Sequence, residues 1–211
     1  MILKKEIVFF ILVLLFGLAV SFLVPLTYLS DPVTLAIRLL ALNGYIALSI
    51  AAIMTPFLKE ITLFFRKPFT KVHHYFAAAG LTLITLHPLI VAIQTLNPII
   101  LLPNTGSLYL FFFFGGSIAL IMIYVAFGAV LLKRKITAYW RPFHALMYAA
   151  LFFGVIHGNL QGFDLQNVAY KVIYDGLFVA AMAGFALKRW QFYQFRARMK
   201  KAAEVKRNGL N

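Results

Sequence analysis

Apolar and polar positions segregate into long blocks along this chain. Six apolar runs, at about residues 6–26, 33–57, 72–96, 108–132, 142–160 and 168–187, alternate with short polar breaks. Each run is close to or beyond the ~20 residues that an α-helix needs to cross a hydrocarbon layer of about 30 Å. The first run follows Lys4 and Lys5, as the core of a secretion signal would. It is too long for such a core and no small-x-small cleavage site follows it, so it reads as a span. The breaks carry turn chemistry. Ser30, Asp31 and Pro32 make a tight turn, and Asn97, Pro98, Pro103, Asn104 and Gly106 mark a loop without charge. The apolar middle of that loop, residues 99–102, is expected to lie against the membrane interface. The pattern predicts an all-α integral membrane protein, a bundle of six helices.

Composition agrees with that class. The chain is 63% hydrophobic and 12% charged, whereas a soluble domain is about 45–50% apolar and about a quarter charged. The absence of cysteine excludes disulfides, iron–sulfur clusters, thiolate metal sites and covalent c-type haem attachment. A net charge of +14 over 211 residues would suggest nucleic acid in a soluble protein. Here the cations sit between apolar runs and in the tail, so they report orientation instead, and no nucleic-acid partner is expected. Lys59, Arg66, Lys67 and Lys71 follow the second run; Lys133, Arg134, Lys135 and Arg141 follow the fourth; the tail is basic. The three loops on the opposite side hold only Asp31 and Asp164. The positive-inside rule then puts both termini in the cytoplasm of a multi-pass protein of the cell membrane. No dinucleotide fingerprint or phosphate-binding loop occurs.

All five histidines, His73, His74, His87, His144 and His157, lie in the third and fifth runs. Ionisable groups inside a membrane are disfavoured unless they serve a function, and imidazole is a common axial ligand of haem iron. His73 and His87 are 14 residues apart, nearly four whole turns, so they share a helix face about 21 Å apart along the axis. The third and fifth spans run in the same direction. His73 and His144 therefore share the cytoplasmic depth, and His87 and His157 the outer depth. One histidine from each helix at one depth can hold one haem, and the arrangement occurs twice. His144 and His157 are 13 apart, which on an ideal helix leaves them about 140° out of register; Pro142 and Gly154 are places where the helix could distort. His74 is the alternative to His73. A histidine that only hydrogen-bonds a neighbouring helix is the plain alternative. A tetrahedral zinc site is disfavoured, because no carboxylate or cysteine accompanies the pairs.

The stretches HHYFAAAGLTLITLH and HALMYAALFFGVIH carry a resemblance. They resemble the ferric reductase-like transmembrane family, which includes the NADPH oxidases, the ferric-chelate reductases and the haem-binding membrane subunit of the bacterial methionine sulfoxide reductase system. That family's pattern is two histidines 14 apart in the third span and two 13 apart in the fifth. The likeness covers about residues 33–187. The stretch RLLALNGYIALSIAAIMTP and the TLH ending at His87 are similar to the methionine sulfoxide reductase subunit. The resemblance implies two haem b groups, an inner one on His73 and His144 and an outer one on His87 and His157. It divides the chain into a cytochrome b domain, residues 1–190, and a short basic tail, residues 191–211. Large members of the family continue into a flavin- and nicotinamide-binding module. Residues 188–211 leave no room for one, so a separate cytoplasmic flavin-dependent reductase is the expected donor, with an acceptor on the outer side.

Other residues have two readings each. Arg38, near the outer end of the second span, could meet a haem propionate or snorkel to headgroups. Arg141 and Lys71 could hold inner propionates, although the positive-inside effect already accounts for them. Lys171 and Asp175 are spaced as an i,i+4 pair, and Lys171 could also approach an outer propionate. Gly80 and Gly154 could admit a macrocycle or a neighbouring helix. Phe76, Phe152 and Phe153 read as core or lipid-facing. The tail, with Trp190, Phe192, Tyr193 and Phe195, reads as a helix on anionic headgroups or as a dock for an acidic redox partner. A different class is a haem-containing anchor subunit that exchanges electrons with quinone, with Asn43, Tyr45 and Thr55 as polar lining. A transporter would need intramembrane carboxylates, and Asp175 alone lies well inside a span.

Overall fold

The computed structural model describes residues 13, 15–17 and 31–208. Most of the first predicted span, together with Lys4, Lys5 and Ser30, lies outside the described residues. Every regular element among the described residues is helical.

Helix α1, Pro32–Ile53, begins where the turn chemistry placed it. Asp31 caps it by accepting from the amides of Val33 and Thr34, with Pro32 in the first turn. Those Thr34 hydrogen bonds hold the Asp31 carboxyl below the ordinary carboxylate range. The predicted run to residue 57 ends early, because Pro56 takes the chain into a 3-10 turn, Thr55–Phe57. A short helix α2, Leu58–Phe65, stops at Arg66, which is left-handed at φ 49°. Helix α3, Phe69–Gln94, follows Pro68. The apolar middle of the next loop forms a 3-10 turn, Pro98–Leu101, capped by Asn97, and Ile99 and Leu102 are exposed.

The fourth predicted run is not one helix. It splits into α4, Leu108–Phe113, and α5, Gly115–Leu131, at Phe114. The Gly115–Gly116 pair lies at the split, and paired small residues are a recognised cause of kinks. The fifth run is also divided, into α6, Trp140–His144, and α7, Leu146–Gln161. A 3-10 turn, Phe163–Gln166, leads to α8, Val168–Asn208. That helix is 41 residues long, about 62 Å at 1.5 Å per residue. Residues 185–208 contain no glycine or proline, so nothing breaks it. The division at 190 falls inside α8, and the tail continues the sixth span rather than forming a separate surface helix.

Four helical stretches are long and apolar enough to cross a membrane: Pro32–Ile53, Phe69–Gln94, Trp140–Gln161 and Val168–Ala202. Gly115–Leu131 is apolar but shorter. The chain is a membrane-type all-α protein over the described residues.

The core is built around α1. Its Leu42, Tyr45, Ile46 and Leu48 pack with Leu151 and Val155 of α7 and Tyr170 and Tyr174 of α8. A second cluster joins Ala51 and Met54 to Phe65, Val72 and Phe76. Gly44 and Gly80 let α1 and α3 approach closely. A Cβ on Gly80 would meet the Leu48 side chain at 2.7 Å, and one on Gly44 would meet Ile84 at 2.8 Å. Gly154 faces the Tyr45 ring, where a Cβ would come to 3.3 Å. Both glycines between the histidines therefore serve contacts with α1. α3 packs chiefly along α1 and α7 chiefly along α5; α3 and α7 are not close-packed on each other.

Candidate functional site

Three of the four predicted ligands are seated by a backbone carbonyl of a neighbouring helix. His73 Nδ1 lies 3.1 Å from the Ala51 carbonyl, His87 Nδ1 3.0 Å from that of Ile37, and His157 Nδ1 2.7 Å from that of Phe113. A carbonyl only accepts, so in each contact Nδ1–H donates. A neutral imidazole then leaves its Nε2 lone pair free for a ligand bond. Nδ1 of His144 is buried beside the Ala126 carbonyl, short of hydrogen-bond geometry.

The spacing of these contacts explains how they arise. Ile37 and Ala51 are 14 residues apart on α1, as His87 and His73 are on α3. Phe113 and Ala126 are 13 apart, as His157 and His144 are. The antiparallel α1–α3 pair, in constant register, thus presents the same contact twice. The helix between His144 and His157 is distorted at Ala145 rather than at Gly154. There the Tyr148 amide bonds back to Ala145 at 3.1 Å, a 3-10 turn between α6 and α7. Such a turn advances 120° per residue in place of 100° and rotates the helix beyond His144 toward register.

Two of the acceptors are free for a structural reason. Ala51 sits in the last turn of α1, where carbonyls lack helical partners. At the α4–α5 break, the Ser117 amide bonds to Phe114 at 3.1 Å, one residue short of the α-helical partner. That releases the Phe113 carbonyl, which accepts from both His157 and Gln161 Nε2, the latter at 2.9 Å. Gly116 completes the seat. A Cβ there would lie 2.8, 2.9 and 3.2 Å from Nε2, Cδ2 and Cε1 of His157. The near-equal distances put the ring face, not the lone pair, against Gly116.

Histidines of α3 approach those of α6 and α7. The His73 and His144 rings are 6.3 Å apart between centroids, and His87 and His157 lie within electrostatic range of each other. His74 is exposed, its ring 5.9 Å from that of His73. Phe69 stacks on His73 at 5.5 Å. Among the described residues no group of three or more His, Asp or Glu forms a metal-holding cluster.

The secondary residues separate clearly. Arg38 is mostly buried, its side chain 11% exposed, and pairs with Asp164 of the α7–α8 turn at 3.4 Å, with its guanidinium 5.7 Å from the Phe163 ring centre. Sequence reasoning missed this partner, because Asp164 reads as an ordinary loop charge. Burial raises the Asp164 carboxyl above its ordinary value, and Arg38 opposes that rise. Arg141 and Lys71 are exposed, with Arg141 over the Trp140 ring at 5.4 Å. The expected Lys171–Asp175 pair forms at 3.0 Å, and Asn159 bonds both partners. Phe76 is buried in the second core cluster. Asn43, Tyr45 and Thr55 engage the Leu39 carbonyl, the Leu151 carbonyl and the Tyr148 hydroxyl at 2.9, 3.4 and 3.0 Å.

The chain matches no family model, no curated protein and no solved structure.

Proposed function

We propose that this chain is a two-haem b-type cytochrome of the ferric reductase-like transmembrane family. It forms a six-span bundle in the cell membrane with both termini cytoplasmic. It carries electrons from a separate cytoplasmic flavin-dependent reductase to an acceptor on the outer side. His73 and His144 hold the inner haem; His87 and His157 hold the outer one.

The observation that carries this reading is the doubled contact of the histidines with backbone carbonyls. A metal-ligating histidine usually donates its other ring nitrogen to such a group, which sets its tautomer and raises its basicity. Three of the four ligands do so. The donor set fits haem, which brings its own equatorial nitrogens and asks the protein for two imidazoles. The His73 and His144 rings, 6.3 Å apart between centroids, are the residues that would hold the inner group. His73 is favoured over His74, because it alone of the two carries the carbonyl contact and faces His144.

When bound, haem supplies the one-electron couple. The chain's residues do the rest. The histidines hold the sites about four helical turns apart, and the apolar helix faces keep bulk water from them. Arg38, paired with Asp164, ties α1 to the α7–α8 turn at the outer end. Arg141 and Lys71, exposed at the basic end, are free to reach inner propionates. Of the polar residues considered for a quinone pocket, Tyr45 and Thr55 bond neighbouring segments and Asn43 bonds its own helix, which leaves the anchor-subunit reading without a supporting contact.

A reduced-minus-oxidised optical spectrum of the purified protein, with a pyridine haemochrome assay, tests the reading. Two b haems per chain are expected, falling to one in His87→Ala or His157→Ala. Folded protein that takes up no haem when haem is supplied overturns it.

A further inference from the structure

Gln161 stands apart from the recognised ligands, yet it shares an acceptor with one of them. It lies four residues after His157, one turn along the same face of α7. Its Nε2 donates to the Phe113 carbonyl at 2.9 Å while His157 Nδ1 donates to the same oxygen at 2.7 Å. A carbonyl oxygen has two lone pairs and can take both donors. Inside an unbroken helix a carbonyl is held in line by the amide four residues on. At Phe113 that amide has moved to Phe114, so the helix no longer aims this oxygen. The contact it makes with His157 is nonetheless the shortest of the three histidine–carbonyl contacts, against 3.0 and 3.1 Å elsewhere.

We propose that Gln161 is a positioning residue: it occupies the lone pair vacated by the helix break and holds the Phe113 carbonyl on His157 Nδ1–H. The bond it secures makes His157 a stronger electron donor through Nε2. A more basic ligand favours the oxidised metal, so Gln161 holds the reduction potential of the His87–His157 site down. That electrochemical consequence rests on the haem reading; the hydrogen-bond geometry does not. Competition between the two donors would act in the opposite direction, since removing Gln161 would then strengthen the His157 bond. The short His157 contact in the presence of Gln161 favours positioning.

The test compares the full-length protein with Gln161→Met, which keeps length and removes the donor. Gln161 is exposed at the end of α7, so folding is not at stake. The first readout is the Nδ1–H proton resonance in ¹⁵N-histidine-labelled, dithionite-reduced protein, with His157 assigned by its loss in His157→Gln. An upfield move of His157 alone supports the proposal. No move, or a downfield one, overturns it, and this arm reads the same with or without haem. The second readout is a spectroscopic redox titration. A higher potential at one of two haems, with the other unchanged, supports the proposal; equal shifts at both haems, or none, overturn its electrochemical part. Protein without haem sinks the cytochrome reading and leaves the resonance arm to decide Gln161.

Discussion

The two ends of the bundle hold their histidines by different means. At the end away from the basic loops, His87 and His157 both donate to carbonyls, at 3.0 and 2.7 Å. Polar contacts brace the surroundings: Gln161 on the Phe113 carbonyl, and the buried Arg38–Asp164 pair, which ties the turn of α1 beside Ile37 to the α7–α8 connection. At the basic end, His73 donates at 3.1 Å, but His144 Nδ1 makes no such bond. There the neighbours are rings: Phe69 against His73, Trp140 6.4 Å from His144, and exposed His74. One end is positioned by hydrogen bonds that have direction, the other by apolar and ring packing that has little. The end with His87 and His157 should therefore be the more sensitive to single substitutions that remove a partner.

The largest effect is expected at the buried ion pair. Asp164→Ala leaves the Arg38 guanidinium buried and uncompensated, which should lower stability by about 3 kcal/mol or more. The double replacement Arg38→Met with Asp164→Leu removes both charges and should return most of that loss. Denaturant or thermal melts of the detergent-solubilised protein measure both, and a double variant as unstable as the single one would refute the pairing.

Next comes the glycine seat. Gly116→Ala sets a Cβ 2.8 Å from His157 Nε2, an overpacking expected to lower stability by about 1–3 kcal/mol and to displace the ring. Gly128 lies on the same helix with nothing within 4 Å of its would-be Cβ. Gly128→Ala should instead add roughly 0.5–1 kcal/mol by lowering backbone entropy. Equal responses from the two would remove Gly116 from the site.

The smallest effects are in the pH dependence, where two carboxyls have opposite signs. Burial raises Asp164 in the folded state, so the folded chain holds that proton more tightly than the unfolded one. Its contribution to stability declines as pH rises from about 4, the unfolded carboxyl value, to the folded value, and is level above it. Asp31 is lowered by its hydrogen bonds to Thr34. Its contribution is present above the unfolded value and is lost as pH falls through the folded one. Melts between pH 3 and 7 should therefore lose slopes of opposite sign in Asp164→Asn and Asp31→Asn.

Much of this molecule is written in local pattern. Long apolar runs predict spanning helices because hydrocarbon offers backbone groups no partner outside the helix. The second, third, fifth and sixth runs correspond to the four helical stretches of spanning length. Asp31 and Pro32 predict the start of α1, since capping depends only on the chain within one turn. The Lys171–Asp175 pair follows from spacing on one helix. The histidine pairs too are visible as repeats of 14 and 13.

What lay beyond the sequence depends on register between helices. The split at Phe114 and the turn at Ala145 are local, but their use is not. They release the Phe113 carbonyl opposite His157 and turn α7 relative to His144 only because α4 and α5 lie alongside α6 and α7. Arg38 and Asp164 are 126 positions apart, and no pattern short of the fold joins them. Sequence by itself determined which residues enter the membrane class and which of them carry ligating chemistry, because hydropathy and imidazole are properties of the residues. Tertiary structure decided which carbonyl each imidazole meets and which charge Arg38 answers, because hydrogen bonds and ion pairs depend on distances that only packing sets.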